Sequence, residues 1–207
     1  MSRSGAILAT PALAGRLPAT VPAVIVPGIL NEVLPRKLSS LTGEPLRILY
    51  SGSLDAERGM PLLLKYLQSE LFLPDIIVEI TGQGNCTAEF QSIAALKPHQ
   101  IRFHGKVSEP QLQEIRARCH FGLNLQSSED PISQVTYPSK TFDYLNAGLQ
   151  LISTKAAGAA SVLGAAAIYL EEETVAGLAT AVNFAVAGSM RTTDVKSLWA
   201  EYSMTGT

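Results

Sequence analysis

From residue 46 onward the chain alternates two hydrophobic patterns. Short unbroken apolar runs give way to longer stretches in which apolar residues return every third or fourth position. RILYSG (47–52) predicts a strand ending in glycine, and GMPLLLKYLQSEL (59–71), with leucines at helical spacing, predicts the helix after it. DIIVEITGQG (75–84) repeats the strand and ends in a second glycine turn; CTAEFQSIAALK reads as a helix and QIRFHG as a strand. In SEPQLQEIRARC, Ser108 is placed to cap a helix, with Gln111 three residues on completing a capping box. HFGLNLQ is the next strand, 127–137 a loop, and YPSKTFDYLNAG (137–148) a helix closed by Gly148. Strand LQLIST, helix AGAASVLG, strand AAIYL and the alanine-rich helix TVAGLATAVNFAVAG complete the series. Six strands alternating with helices predict an α/β fold with a doubly wound parallel sheet, its strands apolar throughout because helices cover both faces.

The ends of the chain carry weaker patterns. Residues 1–30 hold a short helix, ATPALAGRL, and a strand, AVIVPG. Arg16 and prolines 11, 18, 22 and 27 leave no uninterrupted apolar span of about 20 residues, so no transmembrane segment is expected, and the charge of a secretory leader is thin. At the other end RTTDVKSLWAEYS (191–203) spaces Val195, Leu198, Trp199 and Tyr202 as one helix face.

Composition narrows the classes of function. With 207 residues, 46% of them hydrophobic, the chain is long enough to bury a real core. A net charge of −2 and only 16% charged residues give no basic field for nucleic acid. Cys86 and Cys119 stand far apart, outside any CxxC, and read as reduced core thiols; no metal-ligand spacing is present apart from the adjacent Cys119-His120, whose side chains would point oppositely on a strand.

In a doubly wound sheet, ligands bind beyond the carboxyl ends of the strands, where helix N-termini gather. The candidate chemistry falls there. Gly52 to Gly59 follows the first strand, with Arg58 as a cation and glycines that permit close backbone approach. Gly82, Gln83 and Gly84 follow the second, and Gly105 to Ser108 the third. At YPSKTFD, a proline at the first helical position leaves the N–H groups of Ser139, Lys140 and Thr141 free to meet an anion, with the Ser139 hydroxyl and Lys140 charge added. Asp143, four residues after Ser139, would repel a phosphate and suits paired hydroxyls such as those of a ribose. The alternative is that SKTFD is a plain capped first turn and Arg58 a solvated surface arginine.

The order SGSLDAERG, GQGN, FHGKVSEPQL, SSED and YPSKTFDYLNAGLQLIST resembles the nucleotide-sugar-binding half of retaining, family-4-like glycosyltransferases, whose GT-B architecture joins two Rossmann-like domains. The resemblance covers about residues 23–188 and is strongest over 137–154. It implies that Ser53 and Arg58 face a diphosphate, Gly52, Gly82, Gln83 and Gly84 flank the donor, and Lys106 and Val107 frame the base. Ser139, Lys140 and Thr141 would hold phosphate and Asp143 the ribose, with Arg58, Lys140 and Asp143 as the catalytic set. It also implies a nucleoside-diphosphate sugar as donor, a sugar or lipid-linked acceptor, no metal or other cofactor, and a cytoplasmic place, either free or peripheral to the inner membrane face.

Two departures stand out. The family's pair of glutamates, eight positions apart, has Asp143 at the second place and Val135 at the first, and its arginine after the first strand is Ser53; Glu129 or Asp130 is then the candidate for facing the sugar. Residues 1–33 correspond only to the tail of an N-terminal acceptor domain and linker, 34–190 to the donor domain, and 191–207 to a helix returning to the N-terminal segment. Two readings remain open: the donor half of a transferase, and a non-catalytic nucleotide-sugar-binding module. A sugar-nucleotide epimerase is a third.

Overall fold

A computed structural model describes residues 5–8, 11–26, 45–131, 133, 137–156, 159–160 and 163–188. Near the N-terminus, β1 (Ala6–Leu8), α1 (Pro11–Ala14) and β2 (Ala23–Ile25) form a two-stranded parallel sheet, with Ala6 opposite Ala23. The expected helix and strand are both there; β1 was not foreseen. Ile7 and Val24 are largely exposed on it.

The main body runs β3 (Leu46–Ser51), α2 (Met60–Gln68), β4 (Ile76–Thr81), α3 (Thr87–Leu96), β5 (Ile101–Gly105), α4 (Glu109–Arg118), β6 (Phe121–Asn124), α5 (Lys140–Asn146), β7 (Gln150–Ser153), β8 (Ala167–Tyr169) and α6 (Val175–Val186). Six strands pair in parallel in the order β5-β4-β3-β6-β7-β8, as the alternation predicts. The chain steps outward from β3 to β5 and then returns to lay β6 against the other side of β3. That reversal opens a crevice at the carboxyl ends of β3 and β6. Of the helix expected over 157–164, residues 159–160 and 163 are helical and Gly164 begins a 3-10 turn (Gly164–Ala166); 157–158 and 161–162 lie outside the described residues, as do Val135 and the segment 191–203.

Period-2 alternation sorts β3 between two cores. Ile48 and Tyr50 join Leu63, Leu67, Phe90, Leu178 and Val182 under α2, α3 and α6, while Leu49 joins Ile115, Tyr144, Leu145 and Leu151 under α4 and α5. Leu63 and Leu67 are fully buried at helical spacing. Burial of each stabilises by about 1.5–3 kcal/mol, and Leu63→Ala would forfeit that and leave a cavity as well.

One residue breaks the apolar logic of β4. Glu79 is completely buried, its carboxylate bound by Arg47 at 2.7 Å, His104 at 2.6 Å and Arg118 at 3.0 and 3.1 Å. It ties β3, β4, β5 and the end of α4 together. Both cysteines are buried, and neither forms a disulfide among the described residues.

Candidate functional site

Two loops at the carboxyl edge are locked to each other before any ligand is considered. The Asp55 carboxylate accepts the Asn85 N–H at 2.8 Å and the Ser53 hydroxyl, and the Asn85 side chain accepts the Ala56 N–H at 3.1 Å. These bonds hold the Asp55 carboxyl below its usual range, the Ser53 bond contributing most. Leu54 N–H donates to the Gln83 carbonyl at 3.0 Å, and Cys86 N–H to the Leu54 carbonyl at 2.9 Å.

This packing gives three of the glycines a role inside the protein. A Cβ on Gly82 (φ 130°) would lie 1.8 Å from the Gly52 carbonyl oxygen, and one on Gly59 (φ 79°) 1.9 Å from that of Leu125. At Gly84 it would meet Asp55 at 2.6 Å. Glycine is required here because backbone meets backbone. Gln83 is exposed, and its carbonyl serves the same lock. Gly52 differs: a Cβ there would find the Lys140 Nζ at 3.7 Å.

Helix α5 brings Lys140 to that point. Lys140 is its first residue and Ser139 stands at the N-cap position without a side-chain capping bond, so Pro138 lies two places ahead of the first helical position it was expected to hold. At the far end the Leu149 N–H returns to the Tyr144 carbonyl and the Gly148 N–H to that of Leu145, both at 2.9 Å, with Gly148 left-handed at φ 75°. That is a Schellman stop of the kind glycine makes available. The Tyr144 ring fills the space left by Gly122, where a Cβ would come within 2.3 Å, and its hydroxyl accepts the Ser51 N–H at 2.8 Å. Through this contact α5 is fixed to the end of β3.

A cavity of about 310 Å³ opens at the crevice, lined by Ser51, Gly52, Ser53, Arg58, Gln126, Tyr137, Pro138, Ser139 and Lys140. No carboxylate is among these residues. Lys140 Nζ stands 4.0 Å above the Tyr50 ring centroid, and its charge has no ion-pair partner among the described residues. The Tyr50 hydroxyl is turned to the Ser53 carbonyl at 2.7 Å, and burial raises its pKa. Burial, and then the Arg58 charge, lower the Lys140 amine from 10.5 to about 7. Two cations, hydroxyls and a carboxamide around a hollow with no lining acid are chemically suited to receiving an anion.

Of the residues expected to act together, the structure gathers Gly52, Ser53, Arg58, Ser139 and Lys140 at this cavity. Thr141 is corrected: its N–H donates to the Pro138 carbonyl at 3.0 Å, and its buried hydroxyl lies 2.7 Å from that carbonyl and from the Tyr137 hydroxyl. It builds the first turn and has no free group for phosphate. Asp143 is also placed elsewhere. Four residues of helix carry it about 6 Å along the axis from Ser139, to a second cavity of about 330 Å³ between α4 and α5, where Arg116 lies 3.8 Å away. Lys106 is exposed, and Val107 packs on the core under α5; neither lines the first cavity. Glu129 belongs to a third cavity, of about 430 Å³, with Lys155 and Glu173, where Glu173 accepts the Ser127 hydroxyl at 2.9 Å and the Ser128 N–H at 2.7 Å. Sequence reasoning missed Gln126, Tyr137 and the tyrosine beneath Lys140. The one visible signal was a glutamine ending the otherwise buried run HFGLNLQ.

The fold is a Rossmann-like α/β domain with a cation-lined crevice at the carboxyl edge of its sheet. The family profile of the Glycosyl transferases group 1 matches residues 45–187, well over half of the chain, and the chain belongs to that family. No curated protein sequence matches it. Among solved structures it is similar to the apo form of the lipopolysaccharide outer core galactosyltransferase WaaB, with TM-score 0.69 and 12% identity over 97% of this chain and 58% of that one. It is similar also to the pneumococcal O-GlcNAc transferase GtfA in complex with UDP and GlcNAc, with TM-score 0.69 and 16% identity over 95% and 42%. A UDP-forming α,α-trehalose-phosphate synthase from Burkholderia vietnamiensis matches with TM-score 0.61 and 15% identity over 88% and 48%. At these identities the likeness is one of fold, and the chain spans about half the length of these structures.

Proposed function

We propose that the chain is the donor-binding half of a glycosyltransferase that uses a nucleoside-diphosphate sugar. The observation that carries this is the hollow at the β3–β6 crevice, where Lys140 and Arg58 stand unopposed by any lining carboxylate. In glycosyl transfer the bond from the anomeric carbon to the diphosphate oxygen breaks, its electron pair leaving with the diphosphate. Cations fixed where that negative charge grows lower the barrier, and they do so most where water is excluded. Lys140 and Arg58 would supply this charge, which makes metal independence part of the proposal. Retention at the anomeric centre, a sugar or lipid-linked acceptor, and a cytoplasmic or membrane-peripheral setting are further parts of it. The acceptor would be held by an additional domain facing the crevice, on β1 and β2 or on a separate chain.

The placement of Asp143 toward Arg116 favours the second reading, a nucleotide-sugar-binding module that does not itself transfer. Thermal unfolding in the presence of UDP, GDP and their sugars, without divalent metal, tests both, because a ligand of the native state raises stability in proportion to RT ln(1 + [L]/Kd). Stabilisation by a nucleoside diphosphate is expected, with Lys140→Ala weakening its binding by about ten- to a hundredfold and leaving the bare nucleoside unaffected. Stabilisation only with Mn²⁺ or Mg²⁺ would refute the metal-free reading. Sugar transfer or hydrolysis detected once an acceptor domain is supplied would decide for the enzyme over the module.

A further inference from the structure

The cation pair leaves one member of the cavity unexplained. Gln126 follows β6, directly across the crevice from the end of β3. It is only 3% exposed, yet its carboxamide nitrogen has no hydrogen-bond partner among the described residues. Its carbonyl accepts the Thr154 hydroxyl at 2.5 Å, so the residue is held in place by its main chain, and it is among the residues that line the hollow. Burying an amide donor without a partner is unfavourable, and a methionine or leucine would fill the same space without that penalty. Such a group is explained when its partner arrives with a ligand.

We infer that Gln126 is a direct ligand of the anion taken up at this crevice, donating its carboxamide N–H to a phosphate oxygen on the β6 wall while Lys140 and Arg58 meet the anion from the β3 and α5 side. The inference rests on the donor-binding reading and adds a positioning residue to it. A neutral, directional donor fixes where an oxygen sits, whereas the two cations supply attraction with less angular demand. Gln126 therefore sets the orientation of the diphosphate in the cleft. The second and third cavities carry less, since Arg116 already meets Glu109 and Asp143, and Glu173 is already satisfied by Ser127 and Ser128.

The test uses inorganic pyrophosphate and UDP as probes, with titration calorimetry and thermal unfolding on the parent, Gln126→Met, Gln126→Glu and Lys140→Ala. Gln126→Met keeps the length and removes the donor. It is expected to weaken pyrophosphate by about ten- to a hundredfold while leaving the unliganded melting temperature unchanged or higher. Gln126→Glu sets a carboxylate in the hollow and is expected to abolish binding of both probes. In the parent protein, the side-chain NH₂ resonances of Gln126 should shift on adding pyrophosphate, a readout that needs no variant to fold. Gln126→Met binding as tightly as the parent, while Lys140→Ala loses affinity, overturns the inference and leaves the donor-binding reading standing. So does a fall in the unliganded melting temperature without loss of affinity, which would make Gln126 a structural donor. If the parent binds neither probe, the reading and the inference fall together.

Discussion

Lys140 was legible as a cation at a helix start, but its electrostatic state was not. The residue letters show a lysine beside a serine and a proline; only the fold puts its amine over the Tyr50 ring with Arg58 nearby and no acid to balance it. Desolvation chiefly, and Arg58 secondarily, lower its pKa to about 7, against 10.5 for an ordinary lysine. The unfolded chain therefore binds more protons between those two values, and stability of the unliganded protein rises with pH across that window. Below about pH 7 the amine is charged in both states and the burial penalty is complete; above about 10.5 it is gone. Lys140→Met should accordingly raise the melting temperature most at pH 6–7, with the gain shrinking towards pH 10, as differential scanning calorimetry at several pH values would show. A gain that does not vary with pH would mean that the amine is not desolvated. A bound anion reverses the sign, since it favours the charged amine, so the same variant loses the ligand.

At the scale of elements, helix α5 was readable at its stop and along its buried side, while its start falls two residues after the one expected. Gly148 at the stop and the Phe142, Tyr144, Leu145 face are local features, and local chemistry decides them. What α5 is attached to was not readable, because that depends on a glycine twenty-two residues earlier and a strand end further still. Tyr144 reaches Ser51 through the gap at Gly122. Tyr144→Phe should leave the buried Ser51 N–H without its 2.8 Å partner and destabilise the fold by about 1–3 kcal/mol in chemical denaturation. Nucleoside-diphosphate affinity should fall as well, since the lost bond holds α5 against the loop that follows β3. A variant of parental stability would show that the Ser51 N–H finds water instead and that the helix is held by packing alone.

Across the whole molecule, charge within the core sets how the protein meets acid. Burial alone would push the Glu79 carboxyl up, but the bonds from His104 and Arg118 and their charges outweigh it and hold the group down to about 2, against 4.5 for a free glutamate. Stability from this depression is therefore fully present above about pH 4.5 and lost as pH falls toward 2, on the order of 3 kcal/mol in all. Acid unfolding followed by circular dichroism should show this loss in the parent. Glu79→Gln should remove that pH dependence and, by leaving Arg47 and Arg118 without their counter-charge, lower stability already at neutral pH. An unchanged acid transition in the variant would assign the loss to other carboxylates. The alternation of apolar runs and helical spacings determined by itself that the chain folds as a parallel, doubly wound sheet, because periodicity is a property of neighbours in sequence. The motifs at the carboxyl edge also put Arg58 and Lys140 forward as candidates, and the structure gathers both at one hollow. Tertiary structure alone decided that Thr141 and the loop glycines serve the backbone, that Asp143 and Glu129 border other hollows, and that Gln126 faces this one. Those assignments depend on which distant strands lie side by side. The order β3-β6 places residues 51 and 126 across one crevice, and no local pattern in the chain encodes that pairing.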